Sequence, residues 1–308
     1  MKRVLITGKN SYIGNAVEHS LKEYNRGYGA KAYEVDKISL REPGWEKLDF
    51  SGYDTVVHVA GRAHADVSKV SEETRDLYYQ VNGVLTGQAA RKAKEEGVKQ
   101  FIYLSSVIIY GESGGIGKCR KIVSDTKPAP ANFYGDSKLQ GERELQPLAC
   151  DGFHVAVLCL PFIYGRGSKG NYPLLAKIAG MTPIFPNIKN ERSMLYIENL
   201  TELIRQLIDS GQGGLFFPQN REYVTTAQMV REIGRMKGRR IYLWRALNPL
   251  VWIASIVPGK IGRLTKKAFG SLAVDRRLSQ SQGYDYQKYS FEESIRRIHE
   301  NQHHNRSI

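Results

Sequence analysis

The sequence predicts an α/β fold with a doubly wound parallel sheet and a smaller C-terminal α/β region. Apolar runs alternate with amphipathic stretches as far as about Phe162, which is the pattern of successive βαβ units. The first apolar run breaks into a glycine-bearing turn, and later runs end in small or hydroxyl side chains. A chain of 308 residues is also long enough to bury a large core and to form two domains.

The first predicted strand begins at Arg3 and leads through a tight turn to a helix expected from about Asn15. This order places backbone N–H groups and a helix N-terminus where the pyrophosphate of a dinucleotide can bind. Ser11 stands where a further glycine would be expected, and its small side chain needs little room. The predicted cofactor contacts are the turn residues Gly8, Ser11, Tyr12, Ile13 and Gly14.

The second apolar stretch ends at Asp36, which lies 22 residues after Gly14. That is near the spacing of the acid that accepts hydrogen bonds from the adenosine ribose, so it favours NAD. Lys37 and Arg41 are cations that could instead contact a 2'-phosphate. NADP therefore remains an alternative cofactor.

Two further strands are predicted over residues 53–59 and 100–106. The first is followed by Ala60 and Gly61, and the second ends in Ser105 and Ser106. Because ligands of doubly wound sheets bind at the carboxyl ends of the strands, we expect these residues in one crevice with the cofactor. The alternative role of the two serines is to cap a helix or turn.

Tyr134 and Lys138 are spaced i, i+4 and so share one face of a predicted helix. An ammonium beside a phenol favours the phenolate, so the tyrosine could act as an acid or base in alcohol and ketone redox chemistry. Taken alone, the pair is also compatible with a solvated helix face. With Ser106 it forms a candidate catalytic set.

Together these motifs resemble an extended short-chain dehydrogenase/reductase of the NAD-dependent epimerase/dehydratase type, which has a Rossmann-type sheet. The resemblance covers nearly the whole chain. The matching positions are Thr7, Gly8, Ser11, Gly14, Ser105, Ser106, Tyr110, Gly111, Tyr134 and Lys138. It implies that Ser106 hydrogen-bonds the substrate oxygen, Tyr134 exchanges the proton, and Lys138 binds the nicotinamide ribose and lowers the pKa of Tyr134. Asn82 matches a family asparagine near the active site, and Ser105 and Pro161 are expected on the cofactor side.

A narrower resemblance comes from residues 160–171, 192–200 and 270–275, which are similar to bacterial UDP-N-acetylhexosamine 4-ketoreductases and 4-epimerases of surface-polysaccharide pathways. Enzymes that make UDP-N-acetylquinovosamine are the nearest type. Asn171 and Arg192 match positions that hold the UDP moiety, and a guanidinium suits a bidentate phosphate contact. Cys159 departs from the pattern, because many relatives have arginine there.

The resemblance implies hydride transfer at C4 of a UDP-hexose or UDP-hexosamine. A 4-ketoreductase is favoured, a 4-epimerase with tightly bound NAD is the alternative, and a non-catalytic dinucleotide-sensing module is the alternative of another class. Dehydration would need an acid/base pair after the serine, where Val107 and Ile108 stand. We therefore expect no dehydratase activity.

The resemblance also implies a domain organisation and an assembly. A nucleotide-binding domain is expected over residues 1–163 and 191–221, and a substrate-binding domain over 164–190 and 222–308. Amphipathic helices over 73–96 and 134–148 are expected to pair across a twofold axis in a homodimer. The charged segment 112–127, between Ser106 and Tyr134, is predicted to be a mobile loop at the mouth of the cleft, and a solvated insertion without a role is the alternative.

The formal net charge of +14 raises other partners. No helix-turn-helix, zinc or aromatic RNA-binding signature accompanies it, so we expect no nucleic acid; part of the excess can steer a diphosphate substrate. Residues 244–273 mix tryptophans and aliphatics with lysine and arginine, as an interfacial amphipathic segment does, and peripheral membrane contact stays open. The longest apolar stretch in this part, 247–257, is too short to span a bilayer.

Three cysteines, Cys119, Cys150 and Cys159, lack metal-ligand spacing and indicate reduced thiols in a cytoplasmic protein. The chain enters its first strand at once, which predicts no signal peptide. His299, His303 and His304 are expected in a disordered polar tail rather than in a metal site.

Overall fold

The computed structural model describes residues 1–29, 31–63, 70–280 and 283–304, and it has the predicted α/β architecture. Most strands are short, and the longest contain six or seven residues. The strands are β1 (Lys2–Thr7), β2 (Tyr33–Ile38), β3 (Thr55–His58), β4 (Gln100–Ser106), β5 (Cys119–Ile122), β6 (His154–Leu160), β7 (Phe162–Tyr164), β8 (Ile184–Pro186), β9 (Met194–Tyr196), β10 (Gly214–Phe216), β11 (Tyr242–Trp244) and β12 (Ser271–Val274).

Helices connect most of these strands. They are α1 (Tyr12–Tyr28), α2 (Glu72–Tyr79), α3 (Leu85–Glu95), α4 (Phe133–Leu145), α5 (Tyr172–Met181), α6 (Ile197–Ser210), α7 (Thr226–Met236), α8 (Asn248–Ile256), α9 (Lys260–Phe269), α10 (Arg276–Gln280) and α11 (Phe291–His304). A π-helical segment, Gln80–Val84, joins α2 to α3. The first helix thus begins three residues before Asn15, and the helix predicted over 73–96 contains one irregular turn.

Within the described residues, the main sheet has six parallel strands in the order β10-β6-β4-β3-β1-β2. The chain runs from β1 to β2 on one side and then returns to β3 on the other. This reversal between β1 and β3 creates the crevice in which doubly wound sheets bind ligands. The predicted fold class is therefore confirmed.

Helices cover both faces of the sheet. Val4 and Ile6 of β1 point to the face covered by α1 and α6, whereas Leu5 points to the face covered by α3 and α4. All three side chains are at most 1 % exposed. Burial on both faces explains why the strands read as continuous apolar runs instead of alternating ones.

Smaller two-stranded sheets lie beside the main one: β7 with β9, β8 with β11, and β5 with β12, all parallel. The third pair corrects the prediction for residues 112–127. That segment is not only a loop, because β5 pairs with β12, about 150 residues later, and Ile122 is fully buried. The segment 112–127 is thus tied to the C-terminal part of the chain.

A second correction concerns the C-terminal histidines. Residues 299, 303 and 304 lie in α11, and the His299 side chain is buried. Its Nε2 atom is 3.2 Å from the hydroxyl of Tyr172. His299 therefore packs between α11 and α5 and is not part of a disordered tail.

Candidate active site

The turn after β1 has a backbone that only glycine adopts easily. Gly8 has φ +94°, and a Cβ added there would lie 3.1 Å from the backbone nitrogen of Ala60. Its N–H donates to the carbonyl of Ile38 at 2.8 Å, so the ends of β1, β2 and β3 meet at this point. The predicted contacts Gly8 and Ala60 therefore lie together at the switch point of the sheet.

Ser11 replaces the missing glycine with a helix cap. Its Oγ accepts a hydrogen bond from the N–H of Gly14 at 3.4 Å, and it is the N-cap of α1. The N–H groups of Tyr12 and Ile13 precede the first intrahelical bond, which Asn15 donates to Ser11 at 2.9 Å. Such terminal N–H groups, at the positive end of the helix, fit a pyrophosphate.

Tyr12 links the turn to the second part of the molecule. A Cβ added at Gly165 would lie 2.6 Å from its hydroxyl oxygen, so the ring reaches the connection after β7. Burial raises the pKa of this phenol. Among the described residues its hydroxyl is buried without a hydrogen-bond partner. A polar ligand group in the crevice would supply that partner.

Asp36 is exposed and lies in β2, two residues before the strand ends at Ile38. Its Oδ2 accepts a hydrogen bond from the hydroxyl of Tyr53 at 2.9 Å. The cation next to it, Lys37, is engaged elsewhere: its Nζ donates to Asn15 at 2.9 Å and forms an ion pair with Glu18. The ribose contact of Asp36 stays a prediction.

The carboxyl ends of β4 and β6 bring the predicted catalytic serine next to the tyrosine. Ser106 pairs with Leu160, and its Oγ lies 3.4 Å from the Leu160 carbonyl, immediately before the buried Pro161. Ser106 is also close enough to the phenol of Tyr134 to oppose the rise in the pKa of that group. Two of the three predicted catalytic side chains therefore lie near each other.

Helix α4 carries both Tyr134 and Lys138, and glycines let it approach its neighbours closely. Asn132 caps its N-terminus by accepting from the N–H of Gly135 at 3.0 Å. A Cβ at Gly135 would lie 3.0 Å from the carbonyl of Ile108, and one at Gly141 would lie 2.4 Å from the carbonyl of Asn82. Close contact on both sides fixes the height of α4 above the strand ends.

Lys138, which lies about one turn after Tyr134 on α4, is buried. Its Nζ donates to the carbonyl of Leu104 at 2.9 Å and lies 4.9 Å from the ring centroid of Tyr103. Burial lowers the pKa of the ammonium to about 8, and the carboxyl group of Glu142 opposes that shift. A cation with so few polar neighbours is available to a ligand hydroxyl.

The pKa of Tyr134 contradicts one expectation. The resemblance implied that Lys138 would lower it, but burial raises it to about 12, with a smaller raising contribution from Tyr78 and an opposing one from Ser106. Desolvation of this partly buried phenol outweighs the lowering contribution of Ser106. In this state Tyr134 is a proton donor at neutral pH.

Asn82 sits in the π-helical segment and holds the loop after β3 beside the lysine. Its Oδ1 accepts from the N–H of Arg62 at 2.8 Å, and its Nδ2 donates to Ser137 at 2.9 Å. A Cβ added at Gly61 would lie 3.1 Å from Nζ of Lys138 and 3.2 Å from Oδ1 of Asn82. The predicted residues Gly61 and Asn82 thus converge on Lys138.

Two site residues were missed by the sequence analysis. Glu142, four residues after Lys138, accepts a hydrogen bond from Ser105 and another from Sγ of Cys159 at 3.7 Å. Burial raises the pKa of its carboxyl group. Its i, i+4 spacing from Lys138 was the available signal.

The second site residue missed by the sequence analysis is Arg62. Its guanidinium carbon is 5.4 Å from the ring centroid of Tyr78. The Tyr78 ring is in turn 6.1 Å from that of Tyr134. Nε of Arg62 is buried without a partner in the described part of the chain. Only its place after the third strand could have indicated a role.

The predicted UDP residues are placed less directly. Asn171 is the N-cap of α5. Arg192 donates from Nη1 to the carbonyls of Lys267 at 2.7 Å and Ala268 at 3.3 Å, so it binds the last turn of α9. No contact recorded among the described residues joins either side chain to Tyr134, and their substrate roles remain predictions.

A family model for the NAD dependent epimerase/dehydratase family matches residues 4–216, which include the glycine turn, Ser106, Tyr134 and Lys138. The chain belongs to this family. It is therefore an NAD(P)-dependent enzyme of the nucleotide-sugar epimerase and dehydratase type, and the predicted family and cofactor class are confirmed. No helix in the described ranges has the length and apolar character needed to cross a bilayer.

Individual relatives narrow the comparison. The chain is 32% identical over 298 residues to a UDP-glucose 4-epimerase of Vibrio cholerae, covering 89% of this chain and 87% of that one. It is 25% identical to the N-acetyl-α-D-glucosaminyl-diphospho-ditrans,octacis-undecaprenol 4-epimerase of Escherichia coli O157:H7, covering 88% and 83%. A UDP-N-acetylglucosamine 4-epimerase structure from Bacillus cereus superposes with a TM-score of 0.72 at 16% identity, covering 98% and 100%, which is a likeness of fold.

Proposed function

We propose that the chain transfers hydride at C4 of a UDP-hexose or UDP-hexosamine. The observation that carries this proposal is the convergence of Ser106, Tyr134 and Lys138 beside the glycine turn, at the carboxyl ends of β4 and β6. Proton transfer at a hydroxyl and hydride transfer at its carbon must occur together in alcohol and ketone redox chemistry. A partly buried phenol beside a dinucleotide site meets the first requirement.

Each residue has a part in this chemistry. When bound, the nicotinamide supplies or accepts the hydride. Tyr134 holds the proton that moves to or from the sugar O4, and Ser106 orients that oxygen. Lys138 binds the nicotinamide ribose, while Asn82 keeps the loop of Gly61 in position. Val107 and Ile108 carry no ionisable group, so dehydration across C5 and C6 has no acid/base pair there.

Two activities share this half-reaction. A 4-ketoreductase takes external NAD(P)H and releases the oxidised cofactor, whereas a 4-epimerase returns the hydride to the other face of the same sugar. The sequence resemblance favours reduction to a UDP-N-acetylquinovosamine-type product. Two relatives are named as 4-epimerases, and they support epimerisation as strongly as the resemblance supports reduction. NAD is the proposed cofactor, because Lys37 is already paired with Asn15 and Glu18.

A single set of incubations tests the proposal. Purified protein is mixed with UDP-GlcNAc, UDP-glucose, or the 4-keto-6-deoxy derivative of UDP-GlcNAc, with and without added NADH or NADPH, and products are identified by NMR. Consumption of NADH with the 4-keto sugar identifies a reductase, and 4-epimers formed without added cofactor identify an epimerase. No change at C4 of any of the three sugars would overturn the proposal.

A second substrate class is favoured by a specific observation. One relative is named for a sugar diphosphate linked to undecaprenol, and this chain exposes a large apolar surface on α8 and α9. A polyprenyl-diphosphate sugar is therefore the alternative substrate. The same incubation with a short-chain polyprenyl-diphosphate GlcNAc, followed by analysis of the released sugar, distinguishes it from the UDP-sugars.

The remaining predictions are kept as proposals. We propose a cytoplasmic homodimer in which α2, α3 and α4 pair across a twofold axis, and light scattering of the purified protein tests it. We also retain the division into residues 1–163 with 191–221 and 164–190 with 222–308. The presence of both Tyr134 and Lys138 argues against a non-catalytic dinucleotide-sensing module.

A further inference from the structure

Helices α8 and α9 form a hairpin that displays apolar side chains to solvent. Ile256 is 76 % exposed and Trp252 is 49 % exposed, although both are of types usually buried. Exposed apolar side chains continue before and after them along one stretch of chain. They are Trp244, Leu250, Trp252, Ile253, Ile256, Val257, Ile261 and Leu264. A contiguous apolar surface of this kind marks an interaction site.

The same part of the sequence is strongly basic. From Trp244 to Phe269 the chain has five lysines and arginines and no acidic residue. The cations are Arg245, Lys260, Arg263, Lys266 and Lys267. Lys266 and Lys267 are exposed on α9, close in sequence to the exposed Leu264. The surface therefore combines apolar anchors with positive charge.

The hairpin is a defined structure that holds these side chains in place. Gly259, at φ +88°, makes the turn, and a Cβ at Gly262 would lie only 2.1 Å from the carbonyl of Val257. The inner face is packed, since Val251 is buried and the ring of Phe269 stacks on Phe185 at 5.7 Å. The exposed apolar side chains are thus the outer face of a fixed scaffold.

We propose that the α8–α9 hairpin docks on the surface of an anionic lipid bilayer. Apolar side chains beside lysine and arginine fit the boundary between acyl chains and negatively charged headgroups. A second copy of this chain fits less well, because an isologous contact would bring the same cations face to face. Charge complementarity therefore selects the membrane as the partner. This inference does not depend on which C4 reaction the enzyme performs.

Docking would set the orientation of the cleft relative to the membrane. The Trp252 ring lies against Gly117, in the segment between Ser106 and Tyr134, since a Cβ added at Gly117 would be 2.9 Å from that ring. At the other end of the hairpin, α9 accepts the two hydrogen bonds from Arg192. The docking surface and the predicted substrate side of the cleft are therefore joined by direct contacts.

The test is co-sedimentation of the full-length protein with vesicles of phosphatidylcholine alone or of phosphatidylcholine with phosphatidylglycerol. We expect binding only to the anionic vesicles, with affinity falling as salt rises. Ile253→Glu/Ile256→Glu should weaken binding more than roughly tenfold, because it puts two charges on the apolar surface. The matched control is Tyr28→Glu/Leu174→Glu, which changes two equally exposed side chains outside the hairpin and should bind as the wild type does.

The electrostatic part is tested separately. Lys266→Glu/Lys267→Glu should lower affinity for anionic vesicles by roughly 25-fold or more, at about fivefold per basic charge lost. Its control is Lys47→Glu/Lys99→Glu, with the same change in net charge at two exposed positions elsewhere. C4 turnover of a soluble UDP-sugar and thermal melting report that Ile253→Glu/Ile256→Glu is folded.

Several outcomes would overturn the proposal. They are failure of the wild type to sediment with anionic vesicles, equal binding by the hairpin and control variants, or a wild-type dimer that the apolar hairpin variant converts to a monomer without any vesicle binding. The last outcome would assign the surface to self-association. Vesicle binding without any C4 chemistry would support the docking surface while sinking the proposed enzyme activity, so the two failures are distinguishable.

Discussion

The cleft and the α8–α9 hairpin depart from ordinary burial in opposite directions. In the cleft, the charged groups of Lys138 and Glu142 are withdrawn from water. In the hairpin, apolar side chains such as Ile256 remain in water. Both arrangements oppose folding, because desolvated charge and hydrated apolar surface are each unfavourable. The difference lies in how each region is compensated.

Compensation in the cleft comes from the chain itself. Lys138 donates to the carbonyl of Leu104, and Glu142 accepts from Ser105, so the chain itself offsets part of the cost of burying these groups before any ligand binds. The outer face of the hairpin gains nothing comparable from the described part of the chain. A region compensated internally is prepared for chemistry, whereas an uncompensated apolar face indicates an external partner.

The largest expected effect is on the cleft alone. Tyr134→Phe removes the proton donor, and we expect kcat for C4 turnover to fall by roughly a thousandfold. Cofactor affinity, measured by quenching of protein fluorescence, and vesicle binding should stay unchanged, because Phe keeps the ring and the hairpin is untouched. Unchanged turnover would remove Tyr134 from its proposed role and would end the distinction drawn between the two regions.

Lys138→Met should trade activity for stability. Burial holds the pKa of Lys138 at about 8, below its ordinary 10.5, so the folded state disfavours the ammonium. At pH 7 the cost of burying the ammonium is fully present. Lys138→Met removes this cost but also loses the hydrogen bond to Leu104, so the free energy of unfolding should rise by about 2 kcal/mol. The variant should lose at least roughly a hundredfold in kcat.

The pH dependence checks the cause. Between pH 8 and 10.5 the unfolded state binds more protons than the folded state at this lysine, so wild-type stability gains from it as pH rises. The advantage of Lys138→Met in urea unfolding should therefore shrink through that window. A variant that is less stable than the wild type at pH 7 would show that burial of Lys138 does not oppose folding.

Tyr134 and Lys138 also show which properties the sequence could predict and which it could not. Ser106, Tyr134 and Lys138 could be proposed from the sequence because strand ends and i, i+4 spacing are local patterns. The predicted lowering of the Tyr134 pKa was wrong in direction, because the desolvation that raises this pKa depends on the whole fold and is not a local property. Similarly, the pairing of β5 with β12 joins short strands about 150 residues apart, and the exposed β5 side chains gave no apolar signal. His299 was misplaced because its partner Tyr172 lies far away in sequence.

Asp36 tests the other end of the cofactor site, with a smaller expected effect. If its carboxylate accepts from the adenosine ribose, Asp36→Ala should raise the Kd for NADH by roughly tenfold, the value of one lost charged hydrogen bond. Binding of NADPH should change little or improve. The matched control is Tyr53→Phe, which removes the hydrogen-bond donor to Asp36 but keeps the carboxylate. Asp54→Ala is unsuitable as a control, because Asp54 accepts a hydrogen bond from the N–H of Arg3 at 2.7 Å. A preference for NADPH that Asp36→Ala leaves unaltered would contradict the NAD assignment.

The smallest expected effect is that of Glu142→Gln on the pH dependence of kcat. It tests whether the Glu142 carboxylate acts through its charge or only through packing. Glu142 holds the pKa of Lys138 up against burial, and Glu142→Gln removes that charge while keeping an oxygen for Ser105. The pKa of Lys138 should fall further, and the alkaline limb of the kcat profile should move to lower pH by roughly half a unit to one unit. Glu144→Gln is the matched control, because Glu144 lies on the same helix but pairs with Arg91 at 3.0 Å on the surface. A uniform loss of kcat at every pH would indicate a packing role, whereas a shifted limb with an unchanged plateau requires that the carboxylate act through the charge of Lys138.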